Sequence, residues 1–213
     1  MNKSEYFTEL ESIRSQIAAC SDSSSLPELY EQGMYGCVLV AEEQLSEQQG
    51  GHQVASLARE FLSYAQPLLG NDAMADGLER AAERMADTVS SRPRLKLQLL
   101  QLWLAAAKHN GSDTEDIAQD IARYEQNIAF ADSGHSDKIV PEGFMRHDSV
   151  EWSKEWEQAI DAAEEKVYIS LADHPRGMGF CHAYWSSLRA VLKADYGIEW
   201  RSPAMMNPGV MFD

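Results

Sequence analysis

Residues 95–107 read Leu-Lys-Leu-Gln-Leu-Leu-Gln-Leu-Trp-Leu-Ala-Ala-Ala. The first five residues alternate apolar and polar side chains as a β-strand does, but the eight that follow do not alternate. Wound as a helix, the run is apolar on nearly every side. Such a helix is typical of the enclosed centre of a protein, so the run predicts a central helix and an all-α fold.

Segments with apolar residues at helical spacing lie on both sides of this run. Turn signals rich in Gly, Pro, Ser and Asn separate them. Asp148 and Glu151 have the spacing of a capping box at the start of the seventh helix, with Asp in place of Ser or Thr. The predicted fold is a compact all-α bundle of about eight helices with a partly extended C-terminal tail. The helices are expected at about residues 4–19, 27–49, 52–69, 72–88, 95–110, 113–131, 148–172 and 180–194.

The polar loop at residues 132–146 is the expected domain boundary. Residues 1–131 then form an acidic helical bundle, and residues 132–213 form a C-terminal helical subdomain that includes the extended tail. One continuous domain is the alternative, because 213 residues suit either a single globular domain or a domain with a subdomain.

The formal net charge of −16 is distributed unevenly. Residues 174–213 carry four basic and three acidic groups, and they hold 6 of the 19 aromatic residues and 4 of the 9 methionines. An acidic chain disfavours direct binding to nucleic acid or to an anionic membrane, both of which need a positive surface. The N-terminal residues lack the apolar core of a signal peptide, and the longest uncharged run, residues 177–188, is too short to span a bilayer. We therefore expect a cytoplasmic protein of bacterial type.

The three cysteines, Cys20, Cys37 and Cys181, include no CxxC pair, which disfavours a disulfide framework. Cys181 is expected in the first turn of the eighth helix, where the helix dipole favours a thiolate, and Arg176 and His182 are near it in sequence. Neighbouring residues on a helix point about 100° apart, so His182 is poorly placed as a base for Cys181. The alternative interpretation is a small buried thiol.

Metal and cofactor motifs are missing from the sequence. His147 and Glu151 lie at i, i+4, and His174 and His182 could add ligands, but the chain has no HExxH, no Glu-x-x-His pair and no paired-cysteine spacing. It also has no GxGxxG, no GxxxxGK[ST] and no GxSxG. We expect neither a metal nor a cofactor.

The candidate binding surface lies in the C-terminal segment, where aromatic rings and Arg176, Arg189 and Arg201 could bind a peptide or a small anion by stacking and bidentate pairing. The alternative is that the aromatic residues only seal the core, where each buried side chain contributes ~1.5–3 kcal/mol. If the segment is a site, at least three of its polar members (Arg176, His182, Tyr184 and Arg201) should line one cavity. The candidate binding residues are Arg176, Cys181, His182, Tyr184, Trp185 and Arg201.

The run Gly-Phe-Cys-His-Ala-Tyr-Trp at 179–185 and the ending Tyr-Gly-Ile-Glu-Trp-Arg-Ser-Pro-Ala-Met-Met-Asn-Pro-Gly-Val-Met-Phe-Asp at 196–213 resemble the C-terminal ending of a group of uncharacterised bacterial proteins. The resemblance covers about the last 40 residues, 174–213. No activity is attached to that ending, so the resemblance assigns a role to no residue.

Three functions are compatible with these observations. The leading hypothesis is a protein- or peptide-interaction module that presents a neutral, Arg- and aromatic-rich C-terminal surface on an acidic helical body. The first alternative is an enzyme with a pocket around Arg176, Cys181, His182 and Tyr184. The second alternative is an acidic mimic of nucleic acid that occupies a basic partner, which requires acidic side chains patterned on one exposed face.

Because no common ligand spacing is present, the protein purified without chelator should contain far less than one equivalent of zinc or iron per chain. Elemental analysis of the purified chain measures this. A content of about one transition metal per chain, retained through gel filtration, would contradict the expectation.

Overall fold

The computed structural model describes residues 3–46, 51–141 and 143–212, with only the backbone of residues 3 and 4. Within these ranges the chain forms nine α-helices and no strand, which confirms the all-α bundle predicted from the sequence. Eight of the helices have seven or more residues. The helices are α1 (Lys3–Ala19), α2 (Leu26–Ser46), α3 (Gly51–Ala65), α4 (Ala75–Thr88), α5 (Pro93–Asn110), α6 (Glu115–Asp132), α7 (Lys154–Ser170), α8 (Phe180–Tyr196) and α9 (Pro203–Met206).

Several helix ends differ from the expected positions for local reasons. Pro67 lacks an amide hydrogen, and α3 gives way to a 3₁₀ turn at Gln66–Leu68 rather than continuing to residue 69. The helix expected from residue 72 begins at Ala75, because Asn71 forms a turn in which its side chain accepts a hydrogen bond from the amide of Ala73. The expected end of the second helix near residue 49 lies outside the described residues.

The expected capping box at Asp148 and Glu151 does not start α7. Asp148 caps a separate 3₁₀ turn, Ser149–Trp152, and accepts a hydrogen bond from the amide of Val150. Ser153 then caps α7, because its hydroxyl accepts a hydrogen bond from the amide of Trp156. The side chain of Glu151 is thereby left available for other contacts.

The helix expected to be enclosed on every side, α5, is only partly so. Its side chains at Leu95, Leu99, Leu100, Leu102, Ala106 and Ala107 are buried. Leu97, Trp103 and Leu104 are half-buried, and Ala105 is exposed. An apolar pattern around a helix therefore indicated a helix correctly but overstated its enclosure.

The described chain divides into two compact units: Met1–Ser90 with Leu95–Ala122, and Ser91–Arg94 with Arg123–Asp213. The C-terminal half of α6 belongs to the second unit, where Tyr124 packs on Trp152 with ring centroids 5.0 Å apart. Asn127 exchanges two hydrogen bonds with the backbone of Val140 there. The domain boundary after residue 131 stays a prediction from the sequence.

In the first unit, α2 packs against α1, α3 and α4. Gly33 of α2 allows α3 to come close, because a Cβ there would lie 2.9 Å from two ring carbons of Tyr64. The Tyr64 ring stacks on Tyr30, and its hydroxyl donates to Glu60, which is in turn paired with Arg14. The Tyr64 ring is therefore held by a stacking contact on one face and by a hydrogen bond at its hydroxyl, and it cannot easily move aside.

In the second unit, α7 packs against α8, and the ending after α8 closes the same core. The buried face of α7 contains Trp156, Ala159, Ala163 and Val167. The two alanines leave room for the side chains of the neighbouring helix. The core is completed by Ile160, Leu188, Leu192, Ile198 and Trp200. No helix in the described ranges is long and apolar enough to cross a membrane.

Replacing Gly33 by Ala should destabilise the first unit, although Ala has a better helix propensity than Gly by about 1 kcal/mol. The added methyl group would overlap the Tyr64 ring, and overpacking of this kind costs about 1–3 kcal/mol. Urea unfolding of Gly33→Ala measures the balance. In a Tyr64→Ala background the same substitution should be neutral or stabilising. A more stable Gly33→Ala in the unmodified background would contradict the clash.

Candidate functional site

Two glycines set the ends of α8. Gly179 precedes the helix with a φ of 84°, and Gly197 follows it with a φ of 68°; both are left-handed conformations that favour glycine. Between them, Leu188 and Leu192 point into the core. His182, Ser186 and Arg189 are exposed and lie three and four residues apart, so they share one outward face of the helix.

This outward face forms one side of a cavity of about 220 Å³, which we call the α8 pocket. The other side is the segment after Trp200, where the Ser202 hydroxyl accepts a hydrogen bond from the amide of Met205 and so caps the short helix α9. The residues that line the α8 pocket are His182, Trp185, Ser186, Arg189, Ser202, Ala204 and Met205.

Two buried carboxylates hold the segment after α8 in place. Glu151, 4% exposed, accepts a hydrogen bond of 2.8 Å from the indole Nε1 of Trp200. Asp148, 6% exposed, accepts bonds of 2.9 and 3.0 Å from the amide and Nε of Arg201. These bonds anchor the segment at Arg201, and the hydrogen bond and charge of Asp148 raise the pKa of Arg201. Further along, the Asn207 side chain exchanges two hydrogen bonds with the backbone of Arg146.

Aromatic rings and one cation give the α8 pocket its chemical character. Trp185 meets the ring of His182 edge-on at 5.5 Å and the ring of Phe212 edge-on at 5.1 Å. The guanidinium of Arg189 lies on the same face, and Nη1 makes a 3.7 Å contact to the thioether sulfur of Met205. No carboxylate among the described residues lies within ion-pair distance of Arg189. The pocket thus combines an indole ring with a guanidinium that retains most of its donors.

Tyr184 and Arg92 belong to a different cluster, inside the second unit. Arg92, 3% exposed, pairs with Asp161 at 2.8 Å and with Glu164 at 2.6 Å. The other oxygen of Glu164 accepts a 2.7 Å hydrogen bond from the Tyr184 hydroxyl. Burial, together with the negative charge of Glu164, raises the pKa of Tyr184 well above its ordinary value, and the same two causes raise the pKa of Tyr168 to about 12.

Arg176 lies at the edge of this cluster. Its guanidinium lies over the ring of Tyr168 at 5.1 Å and over the ring of Phe180 at 5.3 Å. Cys181 follows Phe180, is half-buried and forms no disulfide. His182 contacts Trp185, so the imidazole is directed to the α8 pocket.

The structure therefore distributes the sequence-predicted binding residues over three places. His182 and Trp185 line the α8 pocket. Arg176 and Tyr184 take part in the cluster around Glu164 and its neighbouring rings, whereas Arg201 is paired with Asp148. Of the four polar side chains expected to share one cavity, only His182 lines this pocket. The assignment of all six residues to one site stays a prediction.

The sequence analysis missed some residues of the α8 pocket and some residues of the cluster around Glu164. The helical spacing from His182 to Ser186 and Arg189 was a usable signal for one side of the α8 pocket. The opposite side, at Ser202–Met205, carried no such signal, because its position depends on how the chain turns after α8. Arg92 is 72 residues from its partner Glu164, so no local pattern connects the two.

The possible metal ligands do not assemble. His147 Nδ1 lies 3.3 Å from Glu151 Oε2, a distance that suits a hydrogen-bonded pair. Across the residues that the structure describes, no three His, Cys, Asp or Glu side chains are grouped as a metal site would require.

No protein-family model, curated protein or solved structure is significantly similar to this chain.

Replacing Arg92 by Ala should strongly destabilise the second unit, because it leaves the buried carboxylate of Glu164 without its counter-charge. Losing one partner of a buried pair costs about 3–5 kcal/mol. The matched control is Lys166→Ala, which removes the exposed ion pair with Asp195 and should cost less than about 1 kcal/mol. Urea unfolding of both variants provides the comparison. Equal, small effects would show that the buried network contributes little to stability.

Proposed function

We propose that this chain is a protein- or peptide-binding module and that the α8 pocket is its contact site. The observation that carries the proposal is the pairing of Trp185 and Arg189 on one exposed face of α8. Tryptophan and arginine are the residues most often found at the energetic centre of protein interfaces. Both residues line the cavity, and Trp185, which is half-buried, also packs against the core of the second unit.

The way the pocket is built also supports binding. One side is a continuous helix packed on α7, and the other is held by buried hydrogen bonds to Asp148 and Glu151. A contact surface that is already rigid loses little conformational entropy when a partner binds. The charged residues around it thus serve to position the pocket.

The alternative of an enzyme requires Arg176, Cys181, His182 and Tyr184 to act together. Arg176 is engaged with aromatic rings and Tyr184 with Glu164, whereas His182 faces the α8 pocket. The alternative of a nucleic-acid mimic requires acidic side chains patterned on one exposed face, a feature separate from the α8 pocket. Neither alternative draws support from the geometry of the pocket, so we favour the binding module.

Site-specific photo-crosslinking in cells that naturally produce the chain tests this function. A photoreactive phenylalanine analogue at Ser186 reports on the α8 pocket, and the same analogue at the exposed Ala162 of α7 is the control. We expect a discrete crosslinked protein from position 186 and not from position 162. Ser186 is in the lining of the pocket, whereas Ala162 is not.

Charge reversal sharpens the test. Arg189→Glu should lower the yield of the crosslink at position 186 at least about tenfold. Lys154→Glu, which makes the same charge change at another exposed position of the second unit, should leave the yield unchanged. The absence of a crosslinked protein at position 186, or equal crosslinking at position 162, would reject the proposed function.

A further inference from the structure

The size of the α8 pocket limits what it can hold. Its volume of about 220 Å³ is below the range of about 300–1,000 Å³ usual for sites that enclose drug-sized ligands and cofactors. A nucleotide or a dinucleotide would therefore protrude from it. A single amino-acid residue is small enough for this volume.

The chemistry of the lining specifies two features of such a residue. The planar guanidinium of Arg189 presents a fork of N–H donors that matches a carboxylate. The Trp185 indole offers an apolar surface to a hydrophobic side chain. Arg189 follows Trp185 by four residues, a rise of about 6 Å along the helix. A ligand that carries both a carboxylate and an apolar group can contact the two side chains at once.

The last residue of a polypeptide has this arrangement, because its α-carboxylate and its side chain are attached to the same Cα. An internal Glu or Asp has a carboxylate but only a short apolar stem. A second residue would then have to supply the apolar contact. Of these two sources of a carboxylate, the geometry favours a chain terminus.

The charge of the protein favours the same choice. The chain has a formal net charge of −16, which repels a segment rich in acidic residues. Outside the pocket lining, Glu199 is already paired with Lys193 at 2.7 Å, and the hydrogen bond and charge of Lys193, with a smaller effect of the Arg189 charge, lower the pKa of Glu199. A single carboxylate can form a charge-assisted hydrogen bond with Arg189, and one negative charge experiences only a small repulsion from the acidic protein.

The protein itself provides an example of the apolar contact. Phe212, in the irregular segment after α9, packs edge-on against Trp185 at 5.1 Å. The Trp185 ring therefore accepts an aromatic side chain from a segment without regular secondary structure. A partner with an aromatic or large aliphatic last residue would use the same kind of contact within the pocket.

Resting on the proposed function, we infer that the α8 pocket binds the C-terminus of a partner protein, with the terminal carboxylate on Arg189 and an apolar last side chain against Trp185. Capture of a chain terminus is an established mode of peptide recognition. The partner is thus expected to end in an apolar residue with a free carboxylate, and the crosslinking experiment would identify it.

Fluorescence anisotropy with the full chain and labelled hexapeptides tests the inference. Each peptide has a neutral Gly/Ser body and ends in Phe, Leu, Trp or Val, either as the free carboxylate or as the amide. We expect at least one free-carboxylate peptide to bind, and its amide to bind at least about tenfold more weakly. An amidated peptide with an internal Glu before the same last residue distinguishes a side-chain carboxylate from a terminal one.

Variants assign the effect to the pocket. Arg189→Gln should weaken the free-carboxylate peptide at least about tenfold and abolish the difference from its amide, because the charged fork is lost. Lys154→Gln removes a positive charge elsewhere in the second unit and should change neither value. Circular dichroism checks that both variants remain folded.

The inference would be overturned by no binding of any peptide of the set, by equal binding of acid and amide, or by binding that Arg189→Gln does not alter. Equal binding of the internal-Glu amide would also overturn it and would identify a side-chain carboxylate as the ligand. These failures are distinguishable from failure of the proposed function. A partner crosslinked at position 186 and lost in Arg189→Glu would preserve the binding module while the chain terminus is rejected.

Discussion

The burial of Asp148 and Glu151 is the constraint from which the geometry of the second unit follows. A carboxylate removed from water is costly unless it accepts hydrogen bonds or faces a positive charge. Here the donors come from Trp200 and Arg201, about 50 residues further along the chain. Those hydrogen bonds form only when the segment after α8 turns back onto the 3₁₀ turn before α7. That return places Ser202–Met205 opposite α8 and creates the pocket.

A third buried carboxylate, Glu164, lies on α7 itself. Glu164 pairs with Arg92 and accepts a hydrogen bond from the hydroxyl of Tyr184. The core of the second unit therefore contains a polar network beside its apolar contacts. A buried network of this kind adds little net stability over apolar packing, but it penalises arrangements that leave one member unpaired. We interpret it as a device that fixes α8 in one position on α7. The outward residues of α8 then have a defined orientation.

These two networks explain why several residues that the sequence suggested as binding residues have a structural role instead. Arg201, Tyr184 and Arg176 belong to residue types that often bind ligands, yet each has a partner within the second unit. Arg189 differs, because its hydrogen bond to a thioether leaves most of its donors available. An arginine can therefore be either a structural anchor or a binding residue, depending on whether a side chain of the same unit already occupies its donors.

The sequence by itself determined the helices, because apolar spacing and the Gly, Pro and Ser signals between segments act over a few residues. It also indicated the C-terminal segment as the region of interest, and it placed His182 and Trp185 among the candidates. Only the tertiary structure decided that Asp148 caps a short turn and anchors a distant segment, that Arg92 pairs with Glu164, and that Ser202–Met205 completes a cavity with α8. These features depend on contacts between residues far apart in the chain, and their formation depends on the cost of burying charge. A local sequence pattern cannot predict such contacts, because it does not show which charged side chains become buried together.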